Sequence, residues 1–139
     1  MFVKRLVMNN LVVLVDDDSV TNVLNEKIIR NSGFLCDVVI VQDSKEALVF
    51  LSKNVAEDYD QAFIFLDYQM PNLNGIDILR HLDQNTIENS NIQLFFLTSS
   101  DKDALLVKIN SNPRVSKVLT KPLTPMVVNS IFQAQHELL

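Results

Sequence analysis

Phe63-Ile64-Phe65-Leu66 places four large apolar side chains in a row, and Asp67 follows at once. The next residues, Tyr68-Gln69-Met70-Pro71-Asn72-Leu73-Asn74-Gly75, form a stretch rich in Pro, Asn and Gly. A short apolar run closed by turn signals reads as a strand buried on both faces. Such a strand belongs to a parallel sheet covered by helices on either side. Its last residue sits where the sheet opens to solvent, and here that residue is an acid.

The rest of the chain repeats the pattern. Leu11 to Val15 is an unbroken β-branched and leucine run that ends in Asp16-Asp17-Asp18. Further strands are expected at 35–41, 62–66, 92–97 and 115–119. Helices are expected between them. Ser19 can cap the first, with Val20, Leu24 and Ile28 as its inner stripe and Gly33 as its stop signal. Asp43 or Ser44 caps a second helix at about 44–53, with Ala47, Leu48 and Leu51 inward. Asn74-Gly75 opens a third, running to about 85, with Ile76, Leu79 and Leu82 on one face. Asp101 can cap a fourth, about 102–111, which Pro113 ends. Thr124-Pro125 opens the last, with Met126, Val127, Ser130 and Ile131 starting its inner face. Residues 53–60 and 86–91 read as polar loops. Strand and helix alternate five times, which defines an α/β fold, (βα)5, with a five-stranded parallel sheet and helices on both faces.

Composition narrows the function. The 139 residues fit one domain, and 47% hydrophobic residues suffice for a core. A net charge of −5 argues against nucleic acid and against anionic membranes as partners. The single cysteine, Cys36, excludes an internal disulfide and fits a reducing compartment. It lies in an apolar run and reads as a buried, inert thiol. Residues 1–9 read as a loose lead-in without the apolar core of an export signal, so a cytoplasmic location is expected.

In such sheets ligands bind beyond the carboxyl ends of the strands. Those ends carry Asp16 and Asp17, then Asp67, then Thr98, then Lys121-Pro122. Several carboxylates sharing one crevice repel each other and raise each other's pKa unless a cation is present. A hard cation with oxygen ligands, Mg²⁺ for preference, meets that need. Thr98 offers a hydroxyl and Lys121 an ammonium, both suited to phosphoryl oxygens. Together these groups describe phosphoryl transfer to Asp67 as nucleophile.

These residues carry a family resemblance. Leu-Val-Asp16-Asp17, then Leu66-Asp67-Tyr-Gln-Met-Pro71-Asn-Leu-Asn-Gly75, Phe96-Leu-Thr98-Ser99 and Lys121-Pro122-Leu123 follow one another, each after its own expected strand. Over residues 10–139 the chain resembles the receiver domain of two-component response regulators. The resemblance implies a flavodoxin-like strand order 2-1-3-4-5 and a CheY-like, stand-alone module that signals rather than acting as an enzyme. It implies that Asp67 accepts a phosphoryl group from a sensor histidine kinase or a histidine phosphotransfer protein. It implies Mg²⁺ ligation by Asp17, Asp67 and the backbone carbonyl of Gln69, with Asp16 acting through metal-bound water. Thr98 would hydrogen-bond the phosphoryl group and Lys121 would pair with it. A cis bond before Pro122 would aim the lysine. Output would pass by protein–protein contact with a downstream target or by onward phosphorelay, and Gln69 and Ser100 stand where the family tunes dephosphorylation.

Two positions depart from the family pattern. Val118 stands three residues before the lysine, where an aromatic residue often couples to the threonine. Asn112-Pro113-Arg114-Val115 replaces the usual Gly-Ala before the fifth strand. Asp18 extends the acidic pair to three and is expected to point away from the pocket as surface charge.

Other features of the sequence admit blander or rival roles. His81 and His136 read as exposed helical histidines without metal-ligand spacing. Asp16-Asp17-Asp18-Ser19-Val20 also fits Asp-x-Asp-x-Val, which resembles the first motif of haloacid-dehalogenase-type phosphatases with Asp16 as nucleophile. That reading lacks a later acidic pair and leaves Asp67 unexplained. A receiver-like binding module that is never phosphorylated would be expected to lose an acid or the lysine, and both are kept. A flavodoxin-like nucleotide binder needs a glycine-rich phosphate loop, and the chain has two glycines in all.

Overall fold

In a computed structural model, residues 9–52, 58–70, 73–74, 77–78, 80, 91–99 and 115–137 are described. Five parallel strands form the sheet: β1 (Asn10–Val15), β2 (Asp37–Val41), β3 (Gln61–Asp67), β4 (Ile92–Thr98) and β5 (Val115–Thr120). Their order across the sheet is β2-β1-β3-β4-β5, as the resemblance implied. Three helices are described in full: α1 (Ser19–Asn31), α2 (Ser44–Ser52) and α3 (Pro125–Glu137). Asp77, Ile78 and Arg80 are helical as well, where the third expected helix falls. The expected helix at 102–111, with Asp101 and Pro113 at its ends, lies outside the described residues, as do Ile76, Leu82, His81 and the side chains of Leu51, Leu79 and His136.

The unbroken apolar runs are explained by burial on two sides. Alternate residues of a strand point to opposite faces. Leu11, Val13 and Val15 join Ile64, Leu66 and Phe96 in one core, which Ala47 of α2 and Ile78 close. Val12 and Leu14 join Phe63, Phe65 and Leu97 in the other, which Ile29 of α1 and Val128 and Phe132 of α3 close. Phe34, after α1, stacks on Phe132 with ring centroids 4.0 Å apart, and both meet Phe63 edge-on. Cys36 packs at the border of this second core, and burial pushes its thiol up to about 11, so it stays protonated at neutral pH.

Two strands run one residue further than the sequence pattern indicates: Thr98 and Thr120 are each the last residue of their strand rather than the first of a loop. Asp67 is the last residue of β3, where its place after the apolar run puts it. After Tyr68, Gln69–Met70 pairs antiparallel with Leu73–Asn74. Asn74 ends this short ladder, and Gly75 and Ile76, between it and the helical Asp77, lie outside the described residues. Two residues per side are too few for any periodic signal.

The helix faces need correction. On α1 the buried residues are Asn22, Asn25 and Ile29, whereas Val20 and Leu24 are more than half exposed. Ile28 is partly buried. On α3 Met126 and Ser130 face solvent, while Val127, Val128, Ile131 and Phe132 face the core. Both helices carry apolar residues on more than one face, so spacing alone could not choose between them.

Helix starts follow capping chemistry. Asp18, not Ser19, caps α1: its Oδ1 accepts from the backbone N–H groups of Val20 at 3.0 Å and Thr21 at 3.4 Å. Asp43 caps α2 in the same way through Lys45 at 2.7 Å. Thr124 Oγ1 accepts from Val127 N–H at 3.3 Å and caps α3, as expected. Gly33 ends α1 with φ at +81°, a conformation that strains any residue with a Cβ.

The hydrogen bond from Thr21, with those from the Val20 and Thr21 backbone, holds the Asp18 carboxyl below its ordinary pKa. A depressed folded pKa contributes stability above the unfolded pKa and loses it as pH falls through the folded one. Asp18→Ala is therefore expected to lower the melting temperature at pH 7, with the difference shrinking towards pH 3. Paired thermal melts across that range check it.

Candidate functional site

The site forms because register and parity converge at one end of the sheet. Val15 of β1 pairs with Leu66 of β3, so one step further sets Asp16 beside Asp67. Asp67 in turn pairs with Leu97, next to Thr98, and Thr98 pairs with Thr120, next to Lys121. The backbone continues these ladders past the strand ends. Tyr68 N–H donates to the Leu97 carbonyl at 2.8 Å, and Lys121 N–H donates to the Thr98 carbonyl at 2.7 Å. The Lys121–Pro122 peptide bond is cis.

The lysine joins the acids. Its Nζ lies 3.0 Å from Asp67 Oδ1 and 3.2 Å from Asp16 Oδ2. Asp16 and Asp67 are both buried, with side chains 3% and 8% exposed. Asp17 is exposed, yet carboxylate oxygens of Asp16, Asp17 and Asp67 all lie within 4.8 Å of one another. Gln69 N–H donates to Asp67 Oδ1 at 3.2 Å. A cleft of about 110 Å³ opens here, lined by Asp67, Tyr68, Gln69, Thr98, Ser99 and Lys121.

Among the described residues the charges are out of balance: three carboxylates face one ammonium. Burial raises the Asp67 pKa, the neighbouring Asp16 charge adds to it, and Lys121 with the Gln69 N–H opposes. For Lys121 burial disfavours the charge, but the bonds and charges of Asp67 and Asp16 outweigh it and hold its pKa above the ordinary value. Carboxylate oxygens packed this closely suit a hard divalent cation, and the shortfall in positive charge has the right sign for one.

Asp16, Asp17, Asp67, Gln69, Thr98 and Lys121 thus meet at one mouth, but unequally, while Ser100 lies outside the described residues. Asp67, Thr98, Lys121 and Gln69 line the cleft. Asp16 does not. Its Oδ1 accepts from the Asp18 N–H at 2.9 Å and its Oδ2 faces Lys121. That arrangement leaves Asp16 poorly placed as a nucleophile and disfavours the phosphatase reading. Val118 is partly buried beside Phe96, its partner across β4 and β5. Asp18 does more than decorate the surface, since it fixes the start of α1. One residue was missed. Asn22 is fully buried on α1 and donates from Nδ2 to the Asp16 carbonyl at 2.8 Å. An asparagine six positions after a strand-end acid gives no distinctive pattern, and the apolar stripe assigned to α1 turned it outward.

A doubly wound α/β sheet carries its ligand site beyond the carboxyl ends of its strands, and in this chain that place holds an acidic cluster with a lysine across it. Residues 12–133 match the response regulator receiver domain, and the chain belongs to that family. It is 28% identical over 127 residues to the alkaline phosphatase synthesis transcriptional regulatory protein PhoP of Bacillus subtilis, covering 91% of this chain and 48% of that protein. It is 32% identical over 136 residues to hybrid signal transduction histidine kinase I of Dictyostelium discoideum, covering 88% of this chain and 7% of that protein. The chain thus spans less than half the length of either curated relative. Among solved structures, a two-component response regulator from Cytophaga hutchinsonii superposes with a TM-score of 0.81 at 25% identity, covering 92% of this chain and 97% of that one. The five-stranded parallel sheet in its flavodoxin-like order and the receiver-domain membership read from the sequence are thereby borne out. No described helix is long and apolar enough to cross a membrane.

Proposed function

We propose that Asp67 accepts a phosphoryl group from a phosphohistidine on a sensor histidine kinase or a histidine phosphotransfer protein. The observation that carries this reading is the Lys121 ammonium held between Asp67 and Asp16 at the mouth of the cleft. An Asp67 carboxylate oxygen attacks phosphorus, an O–P bond forms as the N–P bond breaks, and the bonding pair returns to the imidazole. The protein's part is positioning and charge compensation. Asp67 is fixed by its strand and by the Gln69 N–H. Lys121 is placed to follow the transferred oxygens, and Thr98 to donate its hydroxyl to them.

Asp17, Asp67 and the Gln69 carbonyl would hold Mg²⁺, with Asp16 acting through bound water. When bound, the ion would neutralise the excess carboxylate charge and draw in a phosphoryl oxygen. The donor set supports this, since clustered carboxylates face a single lysine. The domain is read as a signalling phosphoacceptor in the cytoplasm rather than an enzyme acting on external substrates. Output passes to a downstream protein by contact or to a second phosphotransfer protein by relay. The net charge of −5 supports protein partners over nucleic acid.

Mg²⁺ is expected to stabilise the unphosphorylated fold by mass action, by about 2.7 kcal/mol at a hundredfold excess over its dissociation constant. Thermal melts with Mg²⁺ and with chelator measure this, and an unchanged melting temperature would count against the metal site. The site of phosphorylation is tested by mapping the acyl phosphate after treatment with acetyl phosphate. It is expected on Asp67, and finding it on Asp16 would restore the phosphatase reading.

A further inference from the structure

Helix α1 is built against expectation. It exposes Val20, Val23 and Leu24 and buries Asn22 and Asn25. Burying a primary amide opposes folding unless its polar atoms are matched. Asn22 is fully buried, and its Oδ1 has no hydrogen-bond partner among the described residues. An apolar side chain of the same size would serve the packing of this face better. The one bond its side chain does make is therefore informative: Nδ2 donates to the Asp16 carbonyl at 2.8 Å.

We infer that Asn22 is a positioning residue for the acidic turn, holding the Asp16–Asp17 peptide so that Asp17 presents its carboxylate to the cation. This inference rests on the functional reading above. The turn is tied at both ends to the same residue. The Asn22 backbone N–H donates to the Asp18 carbonyl at 3.1 Å, while its side chain holds the Asp16 carbonyl. Asp16 is further pinned by its own N–H on the Val41 carbonyl at 3.1 Å and by the Asp18 N–H on its Oδ1. Asp17 lies between these anchors with an exposed side chain. A peptide group is planar, so fixing the Asp16 carbonyl fixes the plane from which Asp17 departs. The orientation of the Asp17 carboxylate is thus set through the backbone on either side. This bond is buried, so without the Asn22 donor the Asp16 carbonyl would lack a partner and its peptide would lose this anchor.

Asn25 supplies the control, because it is buried on the same face of the same helix. Asn22→Leu and Asn25→Leu are compared with the unaltered chain by melting temperature in chelator, by Mg²⁺ affinity from calorimetry, and by the rate of labelling from acetyl phosphate. Asn22→Leu is expected to melt close to the unaltered protein, since losing the donor to the buried Asp16 carbonyl offsets removing the unmatched Oδ1, yet to bind Mg²⁺ about tenfold more weakly, the scale seen when a group orienting a metal ligand is lost. Asn25→Leu is expected to move the melting temperature alone. Should leucine prevent folding at position 22, Asn22→Ala is measured in its place, with the same loss of affinity expected. Unchanged Mg²⁺ affinity in the position-22 variant overturns the role, and so does an equal loss in Asn25→Leu. An unaltered protein that binds no Mg²⁺ overturns the functional reading itself, a failure visible before any variant is made.

Discussion

Asp67→Asn is expected to abolish labelling by acetyl phosphate while raising the melting temperature of the metal-free protein by a few degrees. The first effect follows from chemistry, because a carboxamide cannot displace a phosphoryl leaving group as a carboxylate does. The second follows from electrostatics. Burial, and then the Asp16 charge, raise the Asp67 pKa, against the pull of Lys121 and the Gln69 N–H. A carboxyl group whose folded pKa is raised contributes stability below its unfolded pKa, and that stability is lost as pH rises through the folded value. At pH 7 the ionised Asp67 is thus a liability that asparagine removes, and Lys121 keeps Asp16 as a partner. At pH 3 the difference is expected to vanish. Melts in chelator at both pH values, beside a labelling assay, check the two effects separately. Persistent stoichiometric labelling would place the phosphoacceptor elsewhere. A variant less stable than the parent at pH 7 would mean that the Lys121 contact outweighs the repulsion. A site that binds its ligand through crowded like charges is expected to give up stability for function in this way.

The sequence made the sheet and its mouth legible for a physical reason. Leu11–Val15 and Phe63–Leu66 are apolar without interruption because both faces of their strands are buried, and a polar residue becomes tolerable only where the cover ends. That is where Asp16, Asp67 and Thr98 stand. The helices were less legible. In α1 the outward Val20, Val23 and Leu24 outnumber the single fully buried apolar residue, Ile29, and mask it. In α3 the true stripe of Val127, Val128, Ile131 and Phe132 begins one residue later than the apolar Met126 suggests. Interactions between side chain and backbone were also hidden. That Asp18 rather than Ser19 caps α1 depends on the length of the turn after β1, since either residue type can cap. The two-residue ladder of Gln69–Met70 with Leu73–Asn74 depends on the closing geometry around the pocket.

The unusual Val118 takes its meaning from the same geometry. It packs into the core beside Phe96, whose ring meets Tyr68 edge-on with centroids 6.5 Å apart. A β-branched residue in that position has one stiff χ1 and no large ring to swing. A threonine–aromatic coupling of the kind the family often uses therefore cannot operate through residue 118 in its usual form. Lys121 is the obvious candidate to take its place, because its backbone is bonded to Thr98 and its ammonium to both buried acids.

Lys121→Ala is accordingly expected to have the largest effect on switching. Removing the ammonium leaves Asp16 and Asp67 buried without their shared cation. Breaking a buried pair costs about 3 kcal/mol at the low end of the usual range. The low end applies because the lysine side chain keeps 26% of its exposure. The lysine's folded pKa is raised, so its contribution is fully present below the unfolded pKa and is lost only as pH climbs through the folded one. The loss on mutation is therefore expected across the whole neutral range. Mg²⁺ is expected to restore much of it and to bind at least as tightly as in the parent, since a competing positive charge has gone from the acidic cluster. The phosphoryl group is still expected to reach Asp67, but no ammonium remains to pair with its oxygens and draw the β5 end towards them. Hydrogen exchange at the amides of Thr98 and Lys121, with and without the phosphoryl mimic beryllofluoride, reads this directly. The parent should gain protection there and the variant should not. Equal gains in both would remove the lysine from the switch.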